Sequence, residues 1–378
     1  MIMVKSKYDC CGCEACVQRC PHNAIELTQD NEGFLYPQIN MSICTNCGLC
    51  ERVCPIINQE LPSELVKAFA AKNNDKNIRQ QSSSGGIFTL LATVVINNGG
   101  VVFGAKFNSN WEVEHDYTNT ISGLTKFQGS KYVQSKIGNN YILAEKYLKD
   151  GKQVLFSGTP CQIAGLKRFL RKEYENLVCV DIICHGVPSP LVWQEYLKSL
   201  KLDKVTYITF RDKTTGWSNA SFTIKNEDEV IFTIPRTRNP YLTCSFVGHL
   251  CLRPACSDCK FKYPNSCSDI SLGDFWGVDY IFPKINDNIG ISLININSEQ
   301  GHSFIKSLNL DYEKVDIDDV IKYNPAIKYS FKFNNENRTR FWRDFHLMKA
   351  NAIYKHAKRY KLSIYNRIIL KIKYLLNK

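Results

Sequence analysis

From residue 66 onward the chain alternates short apolar runs with longer amphipathic stretches, the pattern of strands laid between helices. Val66 to Ala71 predicts a strand, Ile87 to Ile96 an apolar helix stopped by Asn97-Asn98-Gly99-Gly100, and Val101 to Phe107 a second strand, together one strand-helix-strand unit. The alternation continues with a helix over Tyr141 to Lys149, a strand over Gln153 to Ser157, a helix over Gln162 to Lys172 and a strand over Leu177 to Ile183. A helix over Leu191 to Leu200 and a strand over Val205 to Phe210 follow. Between Trp217 and Pro235 the pattern changes to paired strands, a hairpin of Ala220 to Lys225 and Val230 to Ile234 across Asn226 to Glu229. The expected fold is an α/β domain with a mixed sheet and a substantial parallel part.

Ahead of it only short strand-like segments occur, Ala24-Ile25-Glu26-Leu27 and Tyr36-Pro37-Gln38-Ile39, as in a small α+β module. Pro62 to Glu64 reads as the linker. The expected organisation is a module at 1–60, the two parts of the larger domain at 64–150 and 151–310, and a basic helical tail at 311–378.

The module carries one cysteine pattern twice. Cys10, Cys13, Cys16 and Cys20 precede Pro21, and Cys44, Cys47, Cys50 and Cys54 precede Pro55, both as C-x2-C-x2-C-x3-C-P. In such a run three thiolates wrap one corner of an iron-sulfur cube and the fourth reaches to the other cluster. Cys10, Cys13, Cys16 and Cys54 are therefore expected to hold one 4Fe-4S cluster, and Cys44, Cys47, Cys50 and Cys20 a second. Structural zinc closes instead with two separated pairs, which the three closely spaced cysteines do not match. The segment resembles the bacterial two-cluster ferredoxin domain over about the first 60 residues. Cys11 is left over and is expected only to pack.

Seventeen cysteines with this grouping point to metal ligation in a reducing compartment. Met1-Ile2-Met3-Val4 is too short for the apolar core of a signal peptide, and Ile87 to Ile96 falls well below the roughly 20 residues of a membrane span. The expected location is the cytoplasm. The net charge of +12 suggests nucleic acid until it is located: residues 330–378 hold 13 Lys and Arg against two acids. Phe341, Trp342, Phe345, Tyr354, Tyr360, Ile364, Ile368, Leu370, Ile372, Leu375 and Leu376 are interleaved with those charges. Two readings stand, a helix packed on the domain and an interfacial helix at the inner face of an anionic membrane. Nucleic acid is disfavoured, because no recognition motif accompanies the charge.

Ligands of open parallel sheets gather beyond the carboxyl ends of the strands. Three such loops carry chemistry: Ser82-Ser83-Ser84-Gly85-Gly86, Ser157-Gly158-Thr159-Pro160-Cys161 and Cys184-His185-Gly186-Val187-Pro188. The first precedes a helix, whose free N–H groups suit a phosphate. The other two bring Cys161 and Cys184 toward one edge, each thiolate aided by a helix dipole. Cys256 and Cys259 form a further C-x2-C pair. Either Cys161 and Cys184 complete it at the sheet edge, as favoured here, or Cys251 and Cys267 complete it locally as a zinc or iron-sulfur site.

With these residues in hand the chain resembles the coenzyme F420 hydrogenase/dehydrogenase beta-subunit family, which includes chlorophyll-recycling reductases. The resemblance rests on Ser83-Ser84-Gly85-Gly86, Gly129-Ser130-Lys131-Tyr132-Val133-Gln134-Ser135, Phe156-Ser157-Gly158-Thr159-Pro160-Cys161-Gln162 and Cys184-His185-Gly186-Val187-Pro188-Ser189-Pro190. Cys256-x2-Cys259-Lys260-Phe261 and the segment from Ser268 through Gly273-Asp274-Phe275-Trp276-Gly277 complete it, to about residue 300. It implies a flavin and iron-sulfur oxidoreductase with FAD against the sheet and a third 4Fe-4S cluster beside it. No Gly-x-Gly-x-x-Gly fingerprint is present. The implied cofactor-binding residues are Ser83, Gly85 and Gly86 on the pyrophosphate, with Ser130, Gln134, Gly158, Thr159, Asp274 and Trp276 around the flavin. Lys131 and His185 are the implied catalytic groups, Lys131 toward the flavin or substrate and His185 as a proton shuttle. Arg211 and Asp212 remain unassigned.

Three functions follow from this reading. An enzyme would take electrons from a ferredoxin-type or other redox protein and reduce an organic substrate at FAD, in polysaccharide or cofactor metabolism. A relay subunit would only carry electrons within a larger complex. A scaffold would dock through its basic tail.

Overall fold

The computed structural model describes residues 1–59, 67–308 and 310–360, so the Pro62 to Glu64 linker lies outside the described residues. Strands β1 (Ile25–Gln29) and β2 (Leu35–Ile39) form an antiparallel hairpin with Ile25 opposite Ile39. Helices Ala15–Gln18 and Leu49–Arg52 are entered through left-handed Glu14 (φ 64°) and Gly48 (φ 71°). Gly12 and Asn46 are left-handed as well. The residues on either side of the middle cysteine of each triplet therefore turn the same way, and the sequence repeat is also a backbone repeat.

The larger domain contributes β3 (Lys67–Ala71), β4 (Val101–Phe107), β5 (Val113–Thr118), β6 (Val154–Gly158) and β7 (Leu177–Ile182). A separate antiparallel sheet of β8 (Tyr207–Asp212), β9 (Ser221–Asn226) and β10 (Glu229–Pro235) contains the expected hairpin. The strands β11 (Ile270–Asp274), β12 (Ser292–Ile296) and β13 (Tyr312–Val315) complete the main sheet, ordered β13-β3-β12-β11-β7-β6-β4-β5. Its middle pairs, β11 with β7, β7 with β6 and β6 with β4, are parallel, and the rest are antiparallel.

One element of the sequence reading changes: β3 and β4 are not neighbours, because β12, β11, β7 and β6 lie between them. Even so, β3 runs antiparallel to β12, which runs antiparallel to β11, so β3 points the same way as the parallel strands. The carboxyl ends of β3, β6, β7 and β11 therefore share one edge. The helix expected from Gln162 starts at Pro160, because Thr159 caps it reciprocally with Gln162 and proline suits the first turn.

Alternate residues of the strands feed opposite cores. Phe103, Val154 and Phe156 face helices Asn140–Lys149 and Pro160–Leu170 together with Cys13, Cys16 and Val53 of the N-terminal module. Val102, Leu155 and Val180 face Leu91 and Val95 of helix Ile87–Asn97 on the other side. Each such side chain contributes about 1.5–3 kcal/mol of burial, so the module is held by a core it shares with the sheet.

Helices Asn335–Met348 and Ala350–Tyr360 pack with helix Pro190–Ser199 and the second sheet. Phe341, Phe345 and Ile353 are fully buried there, and Trp342 is nearly so. The aromatic face considered for lipid contact is thus engaged in the core, which corrects that reading for Phe341, Trp342 and Phe345. Ile364, Ile368, Leu370, Ile372, Leu375 and Leu376 lie outside the described residues. Among the described residues no helix is long and apolar enough to cross a membrane.

Candidate functional site

At the shared strand edge opens a cavity of about 1020 Å³, lined by Ser82 to Ser84, Gly158, Thr159, Cys184 to Pro188, Asp274 and Trp276. All three loops picked out by their chemistry meet there. The volume lies at the upper end of the range for ligand cavities.

The individual residues divide. Ser83 Oγ accepts from Ser130 N (2.7 Å) and lies 2.8 Å from Ser130 Oγ, joining the first loop to the segment after β5. Gly86, left-handed at φ 79°, caps helix Ile87–Asn97, whose first amides have no partners within the helix and face the cavity wall. Gly85 does not serve as expected. Its N–H donates to Ser292 Oγ (2.9 Å), and an added Cβ would lie 2.7 Å from Ala71 O and from Ser292 N, so it is a packing glycine. Gln134 does not face the cavity either. Its Nε2 donates to Cys11 O (3.2 Å) and its Oε1 accepts from Arg253 (2.9 Å), which places it at the junction with the N-terminal module.

Lys131 lines the cavity and donates to the carbonyls of Lys126 and Gln128, both at 2.9 Å. Burial pushes its pKa down to about 7. His185 sits with Nε2 3.0 Å from His249 Nε2 and its ring stacked on Phe331, and burial followed by the neighbouring His249 pushes it down to about 4. His249 was not foreseen, because nothing near it in sequence marks it.

Asp274 and Trp276 form a wall with Arg211 and Trp217. Arg211 makes two bonds to Asp274 (2.7 and 3.2 Å), and Trp217 Nε1 donates to the same carboxylate (3.1 Å). Arg211, unassigned from sequence, is thus the counterion of a predicted site residue. Arg236 also lines the cavity. The lining thus adds basic groups to helix amides and aromatic faces, a donor set that fits the phosphates and rings of FAD.

The cysteines separate into three sets. Cys20, Cys44, Cys47 and Cys50 line one small cavity, the crosswise set expected for the second cluster. Cys16 is raised by burial and then by Cys10, Cys54 and Cys50, so Cys54 joins the first triplet as the crossed pattern requires. Cys161, Cys184, Cys256 and Cys259 line a third cavity, beside Asp181, Lys262 and Asn295. Burial first and neighbouring thiols second push Cys256 up to about 12 and Cys259 to about 11, a mutual repulsion that binding as thiolates to a metal core would relieve. Cys251 lies elsewhere, fully buried against Ser245 (3.2 Å), and Cys267 is outside the ring. The sheet-edge completion is therefore the one this geometry fits. Among the described residues no three such side chains converge as on a single metal ion, which suits a wider cluster rather than zinc.

Cys11 does more than pack. Its thiol is hydrogen-bonded to those of Cys13 and Cys161, linking the first and third sets.

Residues 151–324 match the family described as the C terminus of the coenzyme F420 hydrogenase/dehydrogenase beta subunit, and residues 9–56 match a 4Fe-4S dicluster domain. The chain is 26% identical over 307 residues to the F-type subunit of the F(420)H(2) dehydrogenase of Methanosarcina mazei, covering 74% of this chain and 80% of that one. It also resembles a chain of the F420-reducing NiFe hydrogenase complex from Methanosarcina barkeri, at 16% identity and a TM-score of 0.47, over 73% of this chain and 99% of that one.

Proposed function

This chain is an iron-sulfur protein of the coenzyme F420 hydrogenase/dehydrogenase beta-subunit family with a 4Fe-4S dicluster domain at its N-terminal end, and we propose that it is an FAD-dependent oxidoreductase. In this reading Cys10, Cys13, Cys16 and Cys54, then Cys20, Cys44, Cys47 and Cys50, then Cys161, Cys184, Cys256 and Cys259 hold three 4Fe-4S clusters. Electrons enter from a ferredoxin-type or other redox protein and leave to an organic substrate. FAD, when bound, supplies the exchange between single electrons and a hydride that clusters cannot make.

One observation carries the reading. The large cavity and the third cysteine ring are both lined by Ile182, Ile183, Cys184, His185, Gly186 and Val187, so a single loop separates the flavin space from a cluster space. Toward the flavin the chain's own residues have distinct tasks. Ser83, Ser130 and the amides after Gly86 receive the pyrophosphate, Gly158 and Thr159 line the floor, and the Asp274 and Trp276 wall excludes water. Lys131, neutral or charged near pH 7, is placed to hold a proton at its Nζ, and His185 passes one to His249.

Anaerobic purification followed by iron, sulfide, zinc and flavin analysis, with spectra before and after dithionite, tests this. About twelve iron and one bleachable flavin per chain are expected, since each cube holds four iron. About eight iron without flavin overturns it.

A second reading, a relay subunit of a larger complex, is favoured by the relative's name, which is that of a subunit. It predicts stable association with another redox protein and no reoxidation of the flavin by a free substrate. A substrate in polysaccharide or cofactor metabolism, and contact with an anionic membrane through residues beyond 360, remain parts of this proposal for vesicle binding and substrate screening to test.

A further inference from the structure

Arg253 is 1% exposed, yet no carboxylate pairs with it among the described residues. Its donors go to Cys10 O (2.7 Å), Leu35 O (3.0 Å), Gln134 Oε1 (2.9 Å) and Cys10 Sγ (3.6 Å). Its guanidinium also lies over Tyr36, 4.4 Å from the ring centroid. A buried cation needs an anion, and carbonyls and an amide oxygen do not supply one. The anion available is the cysteine set that Cys10 opens. Four thiolates around a 4Fe-4S core carry net negative charge, and reduction adds one more.

We infer that Arg253 sets the reduction potential of the cluster held by Cys10, Cys13, Cys16 and Cys54, and fixes that cluster against the Cys161, Cys184, Cys256 and Cys259 site. The inference rests on the three-cluster reading above. A fixed positive charge beside a ligand sulfur stabilises the reduced state and raises the potential. The same side chain reaches from the loop before Cys256 into the module, so charge and placement are set together. The approach is close on both sides. A Cβ on Gly12 would lie 2.6 Å from Arg253 Nη1, and one on Gly165, in the helix begun by Pro160 and Cys161, would lie 2.8 Å from Cys13 Cβ. Arg253 is a positioning residue and has no covalent part in the reaction.

The test is a redox titration of the anaerobically purified full chain, followed by electron paramagnetic resonance, for wild type, Arg253→Gln, Arg253→Lys and Gln134→Ala. The signal lost in Cys54→Ala identifies the first cluster. Iron analysis of wild type comes first: about eight iron or fewer there refutes the three-cluster reading itself. With about twelve iron, Arg253→Gln is expected to lower the first cluster's potential by at least a tenfold change in its reduction equilibrium, about 59 mV for one electron. Gln134→Ala is expected to leave it in place, and Arg253→Lys to retain most of it. Should Arg253→Gln fail to assemble the first cluster, Arg253→Lys at high ionic strength decides, because a charge without the planar fork must still hold the potential above that of a charge-neutral Arg253→Met. A first-cluster potential that is the same in wild type and in every assembled charge-removing variant overturns the inference.

Discussion

Trp217 and Trp276 lie face to face, with ring centroids 4.9 Å apart and planes 6° from parallel. Asp274 joins them from one side, accepting from Trp217 Nε1 at 3.1 Å and from Arg211 at 2.7 Å, while the Arg211 guanidinium sits 5.5 Å from the Trp276 ring centroid. Arg211 comes from the second sheet and Asp274 from the carboxyl end of β11, so this wall also ties the two sheets together.

Removal of Asp274 should therefore be costly beyond the cavity. The Arg211 side chain is only 2% exposed, and Asp274→Ala would leave it buried without its counterion. The expected loss is about 3–5 kcal/mol in anaerobic denaturation followed by tryptophan fluorescence, together with loss of flavin on gel filtration. A loss below about 1 kcal/mol would mean that water or another group takes over the charge.

The third cysteine set gives a prediction with internal controls. Cys184→Ser should remove about four of about twelve iron, because each set holds one cube. Cys251→Ser and Cys267→Ser should retain all of it, since both residues lie off the third cavity. Iron loss in Cys251→Ser with retention in Cys184→Ser would restore the local completion.

How much of this was readable beforehand depended on whether the chemistry was local in sequence. Cluster ligands need thiols at fixed short spacing, and ligand loops need Gly, Ser and Pro at strand ends, so both sets showed in the string. Arg253 meets Cys10 across 243 residues, and His185 meets His249 across 64, contacts that no spacing rule marks. Gly85 and Gln134 show the opposite failure. Each stands in a motif that reaches the cavity, but neighbouring residues alternate in direction, and these two point into the packing behind it. The tail misled for another reason: aromatic residues among basic ones fit a packed helix and a lipid-facing helix equally well, and only the partner surface of Tyr241 and Leu250 decides.

Gly165 offers a case where the usual rule should reverse. Glycine inside a helix ordinarily costs about 1 kcal/mol relative to alanine, so Gly165→Ala would be expected to stabilise. Here the new methyl would meet Cys13 Cβ at 2.8 Å and Cys13 Sγ at 3.0 Å. Helix Pro160–Leu170 must then shift away from the first cysteine set. The expected outcome is a lower melting temperature and slower or incomplete loading of the first cluster, read as iron per chain after reconstitution. A variant more stable than wild type with full iron would show that this contact yields easily.

Lys131 predicts a dependence on pH with a definite sign. Burial lowers its folded pKa from 10.5 to about 7, so between those values the unfolded chain holds a proton there that the folded chain does not. Stability contributed by this site therefore rises with pH across that window and is flat below it, where both states are protonated. Lys131→Met removes the group and its two bonds to the carbonyls of Lys126 and Gln128. Relative to wild type, the variant should be at its best near pH 7 or below, where it escapes the cost of a buried charge, and should lose ground steadily toward pH 10. Comparing the two proteins at each pH cancels the titration of every other group, provided both keep their clusters. Anaerobic urea midpoints at several pH values between 6 and 10 supply the measurement. A constant difference between the two proteins would mean that Lys131 keeps its proton in the folded state, and a fixed charge would then replace the proposed proton holder beside the flavin space.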